Sequence, residues 1–87
     1  MSEVNFESIL EEVTDVLSEL GVSKESVSLK ADLINDLNVD SLGKIELTMM
    51  LEDRFKTHSL KITEESADKI RSIEDLVFYI DNFISKK

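Results

Sequence analysis

The chain has 87 residues, enough for one small domain with one core, and its 41% hydrophobic content excludes a fully disordered protein. Cysteine is absent, which excludes disulfides, thiolate metal sites and a thiol nucleophile. The formal net charge of −9 disfavours binding to nucleic acids and anionic membranes, and favours basic protein partners.

The first predicted element is a helix over residues 3–20, with Ser2 as its N-cap and Gly21 as its C-terminal stop. Apolar residues recur through it at helical spacing, which predicts one buried stripe. They are Phe6, Ile9, Leu10, Val13, Val16, Leu17 and Leu20.

Residues 21–40 show no long periodicity, yet apolar residues recur among polar ones. This pattern predicts a long loop pinned onto the core, with a short turn at residues 31–36. A strand over residues 27–29 is an alternative, although no partner strand is evident in the sequence.

The second predicted helix covers residues 41–56, and a helical wheel divides it into two faces. Five residues form the face that we expect to be buried: Ile45, Leu47, Thr48, Leu51 and Phe55. Another face mixes apolar with acidic side chains, as a surface for a partner protein would. It consists of Leu42, Glu46, Met49 and Asp53.

A connection over residues 57–63 leads to a short third helix over 64–70, with Thr63 as N-cap. The last helix covers residues 73–85, where Ser72 and Asp75 form a variant of the capping box. Its predicted buried stripe is Ile73, Leu76, Val77, Ile80, Phe83 and Ile84.

These elements predict an all-α fold. It is a small four-helix bundle with three longer helices, one short third helix and a long loop between helices one and two. We expect a single domain over residues 1–87.

The residues give little support for an enzyme. His58 is the only histidine, and about fifteen residues of helix, or roughly 22 Å, separate it from Ser41, which argues against a hydrolytic triad. Asp32, Asp36 and Asp40 recur every four residues but lack the pattern of a calcium loop, so a solvated acidic face is favoured over a metal site. We therefore expect neither a catalytic residue nor a metal.

Ser41 stands at the predicted start of the second helix, where a hydroxyl is exposed and an attached phosphate is electrostatically tolerated. The alternative is that Ser41 or Asp40 is simply an N-cap. Local chemistry alone leaves both interpretations open.

The stretch LINDLNVDSLGKIELTMMLEDRF at residues 33–55 closely resembles the acyl carrier protein family. The family signature Asp-Ser-Leu corresponds to Asp40-Ser41-Leu42, and ELxMxLExxF follows at residues 46–55. The resemblance continues through ITEESADKI at residues 62–70 and IEDLVFYI at residues 73–80, and covers essentially the whole chain.

The resemblance implies that a phosphopantetheinyl transferase joins 4′-phosphopantetheine from coenzyme A to Ser41, which Asp40 and Leu42 flank. The thiol of this arm would carry acyl intermediates as thioesters in fatty acid or related lipid biosynthesis. The chain would then be a phosphoprotein and a non-catalytic carrier. Acyl-processing enzymes with basic docking patches would contact Leu42, Glu46 and Met49, which are also part of the mixed face that includes Asp53.

The resemblance also implies an acyl pocket beneath the second helix, walled by the third and fourth helices. By matched position, its walls would include Leu33, Ile45, Thr48, Leu51, Ile62, Ala67, Ile70, Leu76, Val77 and Tyr79. Apolar walls favour a fatty chain by about 0.8 kcal/mol for each buried methylene. An alternative is plain core with no cavity until an acyl chain opens one.

The sequence departs from the family in several places, which bear on its partners. Residues 41–56 have no net charge where an acidic helix is usual, Gly43 replaces a common acid, and the following loop is about three residues longer. A specialised carrier for a polyketide, aminoacyl or other secondary pathway is therefore an alternative. An unmodified helical adaptor that binds basic partners is another.

The sequence contains neither an apolar run of membrane-spanning length nor a basic and apolar signal sequence at residues 1–10. We therefore expect a cytoplasmic monomer without membrane insertion and without nucleic acid.

Overall fold

The computed structural model describes residues 5–85, and within that range four α-helices pack around one hydrophobic core. Helix α1 spans Phe6–Glu19, α2 spans Ser41–Arg54, α3 spans Glu64–Lys69 and α4 spans Ile73–Ser85. Two short 3-10 turns interrupt the connections, at Lys24–Ser26 and Lys56–His58. The predicted all-α fold, with a short third helix and a long first loop, is confirmed.

Helix α1 begins at Phe6 because Asn5 and Ser8 form a capping box in which each side chain accepts a hydrogen bond from the other residue's amide. The sequence predicted a start at residue 3 with Ser2 as cap, and both of those positions lie outside the described residues. The helix ends as predicted, because Gly21 adopts a φ of 99°, which L side chains rarely adopt.

The long loop after α1 is held against the connection between α3 and α4 by backbone hydrogen bonds. Leu33 N–H donates to the Arg71 carbonyl at 2.8 Å, and Glu74 N–H donates to the Leu29 carbonyl at 2.9 Å. The prediction of a pinned loop is therefore confirmed. The strand alternative over residues 27–29 is wrong, since the described residues form only an isolated bridge between Asp32 and Ser72.

Helix α2 ends two residues earlier than predicted, with Phe55 as its C-cap. Its buried face was only partly right. Leu47, Leu51 and Phe55 are buried, whereas Ile45 is 51% exposed and Thr48 is half-buried. Helix α3 has only six residues, and an open groove remains between it and this side of α2. This open space leaves the two side chains uncovered.

The last two helices begin where local capping predicts. Thr63 Oγ1 accepts the Ser66 amide hydrogen bond at the start of α3, while Ser72 and Asp75 cap α4 reciprocally. The bounds predicted for α4 are confirmed. Its stripe is buried at four positions, but Phe83 and Ile84, predicted to be buried, are only partly so because they lie in its last turn.

Candidate functional site

Ser41 is the first residue of α2, and it is exposed. The N-cap of the helix is Asp40, whose carboxylate oxygen Oδ1 accepts a hydrogen bond from the Gly43 amide at 2.7 Å. Of the two residues that the sequence offered as N-cap, Asp40 takes that role. The Ser41 hydroxyl makes no hydrogen bond among the described residues, so it is available to another molecule.

A groove of about 870 Å³ lies between α2, α3 and the turn at residues 32–35, and Ser41 is on its border. Both apolar and charged side chains line it. Six residues of the predicted acyl pocket line this groove: Leu33, Ile45, Thr48, Ile62, Ala67 and Ile70.

The other four predicted pocket residues do not line the groove. Leu51, Leu76 and Val77 are at most 1% exposed and belong to the packed core. Tyr79 is half-buried, and its hydroxyl donates a hydrogen bond to the Lys61 carbonyl at 2.6 Å. The groove is therefore shallow as it stands and does not reach α4.

Thr48 places a hydroxyl on the wall of the groove, but this hydroxyl has a partner. Its Oγ1 donates to the Ile45 carbonyl at 2.9 Å, within the same helix. The polar atom is thus satisfied without a ligand.

Sequence reasoning missed several groove residues, most of them polar. They are Asp32, Ile34, Asn35, Lys44, Glu52, Thr63, Glu64, Asp68 and Arg71, together with Met49 from the predicted partner face. The sequence held a signal for one of them, Ile34, which is an isoleucine within a polar turn. In the structure its side chain is 55% exposed. The rest required the relative placement of α2 and α3.

The predicted partner face is exposed along α2. Leu42 is 65% and Met49 is 62% exposed, and Glu46 and Asp53 are exposed beside them. Leu42 and Glu46 also border a hollow of about 480 Å³ between α2, the end of α1 and the loop before Ser41. Exposed apolar side chains next to carboxylates are suited to bind a partner with apolar and basic groups.

The sequence also raised a hydrolytic triad with His58 and a metal site as alternatives. His58 lies in the 3-10 turn beyond the far end of α2, where its ring is 6.4 Å from that of Phe55. Within residues 5–85 no group of three or more potential ligands is placed to hold a metal ion.

The three regularly spaced aspartates accept hydrogen bonds from backbone amides. Asp32 accepts from the Ile34 and Asn35 amides, Asp36 accepts from the Asp32 amide, and Asp40 caps α2. The sequence interpretation of a merely solvated acidic face was incomplete, because these carboxylates hold the turn and the helix start that present Ser41.

Arg54, at the end of α2, forms two ion pairs with acids of α1. Its Nη1 donates to Glu12 Oε1 at 2.7 Å, and its Nη2 donates to Glu19 of α1. The hydrogen bond that Arg54 donates to Glu12 is the main reason why the pKa of Arg54 lies above its ordinary value. Partial burial lowers this pKa, and the Glu19 charge raises it. Arg54 is one of the three bases that make residues 41–56 neutral in sequence, and its charge is balanced by acids of α1.

Two comparisons with known proteins found matches that cover most of the chain. A family model described as "Phosphopantetheine attachment site" matches residues 9–80. A protein named acyl carrier protein from Campylobacter hominis is 40% identical over 80 residues, which cover 91% of this chain and 98% of the relative.

Proteins of the same name from Campylobacter fetus subsp. fetus and Campylobacter concisus are each 40% identical over 75 residues, covering 85% of this chain and 94% of each relative. None of the helices in the described part of the chain has the length and apolarity needed to cross a membrane.

Proposed function

Because this chain belongs to the acyl carrier protein family, we propose that Ser41 is the residue to which its 4′-phosphopantetheine is attached. The observation that carries this proposal is the exposed, unbonded Ser41 hydroxyl at the start of α2, with Asp40 as the cap and a groove alongside. Asp40 and Leu42 flank the attachment point on either side.

The protein is a non-catalytic carrier with a covalent 4′-phosphopantetheine group, and fatty acid biosynthesis is the typical context of its family. When bound, this group supplies a terminal thiol that holds an acyl chain as a thioester. A chain without cysteine has no thiol of its own for this task. We retain a specialised polyketide or aminoacyl pathway as the alternative, which the genes beside the coding sequence would distinguish.

In the attachment reaction, Ser41 Oγ forms the new bond to the phosphorus of coenzyme A next to the pantetheine, and the adenosine bisphosphate part leaves. The serine proton requires a base. Since no side chain among the described residues hydrogen-bonds to the Ser41 hydroxyl, we assign that base to the transferase. Ser41 is thus a substrate group of another enzyme.

The partners of the family are a phosphopantetheinyl transferase and acyl-processing enzymes. We assign their docking to Leu42, Glu46, Met49 and Asp53, since these side chains are exposed along α2 on the turns that follow Ser41. The net charge of −9 supports basic docking patches on these enzymes and argues against nucleic acid. A monomeric, cytoplasmic protein remains a prediction, which light scattering and cell fractionation would test.

We also assign the cargo to the groove between α2 and α3. Its apolar floor includes Leu33, Ile62, Ala67 and Ile70, and its border includes Ser41. The arm on Ser41 would therefore begin at the edge of the groove that takes the acyl chain. We further propose that residues 1–87 form one carrier domain, since the described part has a single core.

Intact mass after incubation with coenzyme A and a broad-specificity transferase tests the attachment. The wild-type protein should gain the mass of one phosphopantetheine, and Ser41→Ala should gain none while its circular dichroism is unchanged. Ser28→Ala is the matched control, because Ser28 is an exposed loop serine away from α2. Modification of Ser41→Ala would place the attachment elsewhere, and an unmodified wild-type protein would favour the helical adaptor.

A further inference from the structure

Lys44 stands one helical turn after Ser41, and both residues line the groove. Residues three apart on a helix are neighbours, with Cβ atoms about 5–6 Å apart. Lys44 is half-buried, so its aliphatic stem lies against the groove wall. None of the ion pairs in residues 5–85 includes Lys44, and the same holds for Arg71, the other basic residue that lines the groove.

The carboxylates that face the groove do not neutralise this lysine. Asp32 accepts backbone amides of its own turn, and Glu52 accepts the Ile62 amide at 2.7 Å. Glu64 and Asp68 of α3 line the opposite wall, and neither lies within salt-bridge distance of the Lys44 amine. Lys44 is thus an unpaired cation beside a serine that we propose to be modified.

A lysine at this place is also locally unfavourable. The first turn of a helix favours acids, and α1, α3 and α4 have them there, whereas α2 has none. The carboxylate of Asp40 at the N-cap offsets the positive end of the helix dipole, whereas Lys44, one turn after Ser41, adds to it. A local conflict of this kind is expected where function outweighs helix stability.

We propose that the Lys44 ammonium contacts the phosphodiester of the arm on Ser41 and holds the beginning of the arm at the mouth of the groove. This inference rests on the proposed attachment at Ser41. The phosphodiester has one negative charge, which offsets both the unpaired lysine and the helix dipole. Lys44 is a positioning residue for the arm: it forms no bond to the acyl group and takes no part in chemistry.

The position of Lys44 gives the contact a direction. Lys44 lines the groove, whereas Leu42 and Glu46 border the hollow on the other side of α2. A phosphodiester held by Lys44 therefore starts the arm toward the groove and leaves Leu42 and Glu46 of the partner face uncovered. Salt weakens such a contact, because charges at a protein surface are screened over about 8–10 Å at physiological ionic strength.

Phosphorus-31 NMR of the protein carrying the arm, without any partner enzyme, tests this contact. A phosphodiester held by the protein relaxes with the whole molecule, and a free one has faster local motion and a narrower line. We expect Lys44→Met to narrow the line at low salt, and Lys44→Arg to keep the wild-type width. The ratio of held to free phosphodiester should fall by up to about fivefold in Lys44→Met, which is the effect expected from the loss of an exposed ion pair.

Two controls make the result specific to Lys44. Lys30→Met removes a lysine that is 89% exposed in its side chain and lies in the loop before α2, and it should keep the wild-type width. Added salt should narrow the line of wild type and leave Lys44→Met unchanged. Equal widths in wild type and Lys44→Met at low salt would overturn the contact while leaving attachment intact. Absence of any phosphodiester signal would overturn the attachment itself.

Discussion

The carboxylate of Asp40 accepts the Gly43 amide hydrogen bond at 2.7 Å and so fixes the first turn of α2 beside Ser41. A Cβ at position 43 would lie 3.2 Å from Asp40 Oδ1 and 3.3 Å from Val39 Cγ1, both tighter than ordinary contacts. Glycine therefore fits this tight cap without any shift of these two neighbours. The exposed serine depends on this arrangement for its position.

Asp40→Ala removes this cap, and we expect it to lower the free energy of unfolding by about 1 kcal/mol. Asp40→Asn retains an acceptor oxygen and should stay within a few tenths of a kcal/mol of the wild type. Urea unfolding monitored by circular dichroism measures both. A loss in Asp40→Asn equal to that in Asp40→Ala would show that charge, not the cap, is the stabilising factor.

Arg54 links the end of α2 to two acids of α1, and we expect Arg54→Met to cost about 0.5–1 kcal/mol, less at high salt. Lys24→Met is the control, because it removes one exposed ion pair with Asp15 and should cost less. Urea unfolding at low and high salt provides the comparison. Equal losses in the two variants would mean that Arg54 does not act as a link between helices.

The pH dependence of this link follows from the raised pKa of Arg54. A base with a raised pKa contributes stability below its unfolded-state pKa and loses it only as the pH rises through the folded-state pKa. Arginine is effectively always protonated near neutrality. The cost of Arg54→Met should therefore be the same across about pH 6–9.

Charge reversal on the partner face should slow transfer by partner enzymes. Glu46→Lys should reduce the rate two- to fivefold or so at low salt and less at high salt, since an exposed ion pair is screened. Glu11→Lys is the matched control, because Glu11 is exposed on α1 and borders neither the groove nor the hollow. Rates of phosphopantetheine transfer measure both, and equal rates for the two variants at low salt would remove Glu46 from the docking surface.

Acyl chains of increasing length should raise the melting temperature, with a plateau once the chain outgrows the shallow groove. Each buried methylene contributes about 0.8 kcal/mol. Ile45→Ser should reduce this gain, because Ile45 lines the groove yet is already 51% exposed, so the unloaded protein loses little.

Leu42→Ser is the control for that series, since Leu42 is 65% exposed and borders the hollow rather than the groove. Thermal melts of loaded and unloaded variants give the result. A melting temperature independent of acyl length would show that the cargo stays in solvent.

The sequence predicted those features that depend on neighbouring residues. The start of α4 follows from Ser72 and Asp75, three residues apart, and the end of α1 follows from Gly21. The wheel correctly separated Leu47 and Leu51 from Leu42 and Met49.

The features that could not be predicted from the sequence depend on contacts between distant segments. Ile45 was expected to be buried, but it is exposed. A helical wheel shows which residues share a face of the helix, and it does not show what covers that face. Arg54 pairs with Glu12 and Glu19, which lie 42 and 35 residues away in sequence, and no local pattern indicates this. The groove likewise arises only when α3 is placed beside α2.

Peptide mapping of the modified wild-type protein tests the central claim most directly. Trypsin cleaves after Lys30 and Lys44, and the peptide between them, ADLINDLNVDSLGK, has Ser41 as its only hydroxyl side chain. After incubation with coenzyme A and the transferase, we predict that this peptide alone gains the mass of one phosphopantetheine. The same mass on any other peptide, or on none, would contradict attachment at Ser41.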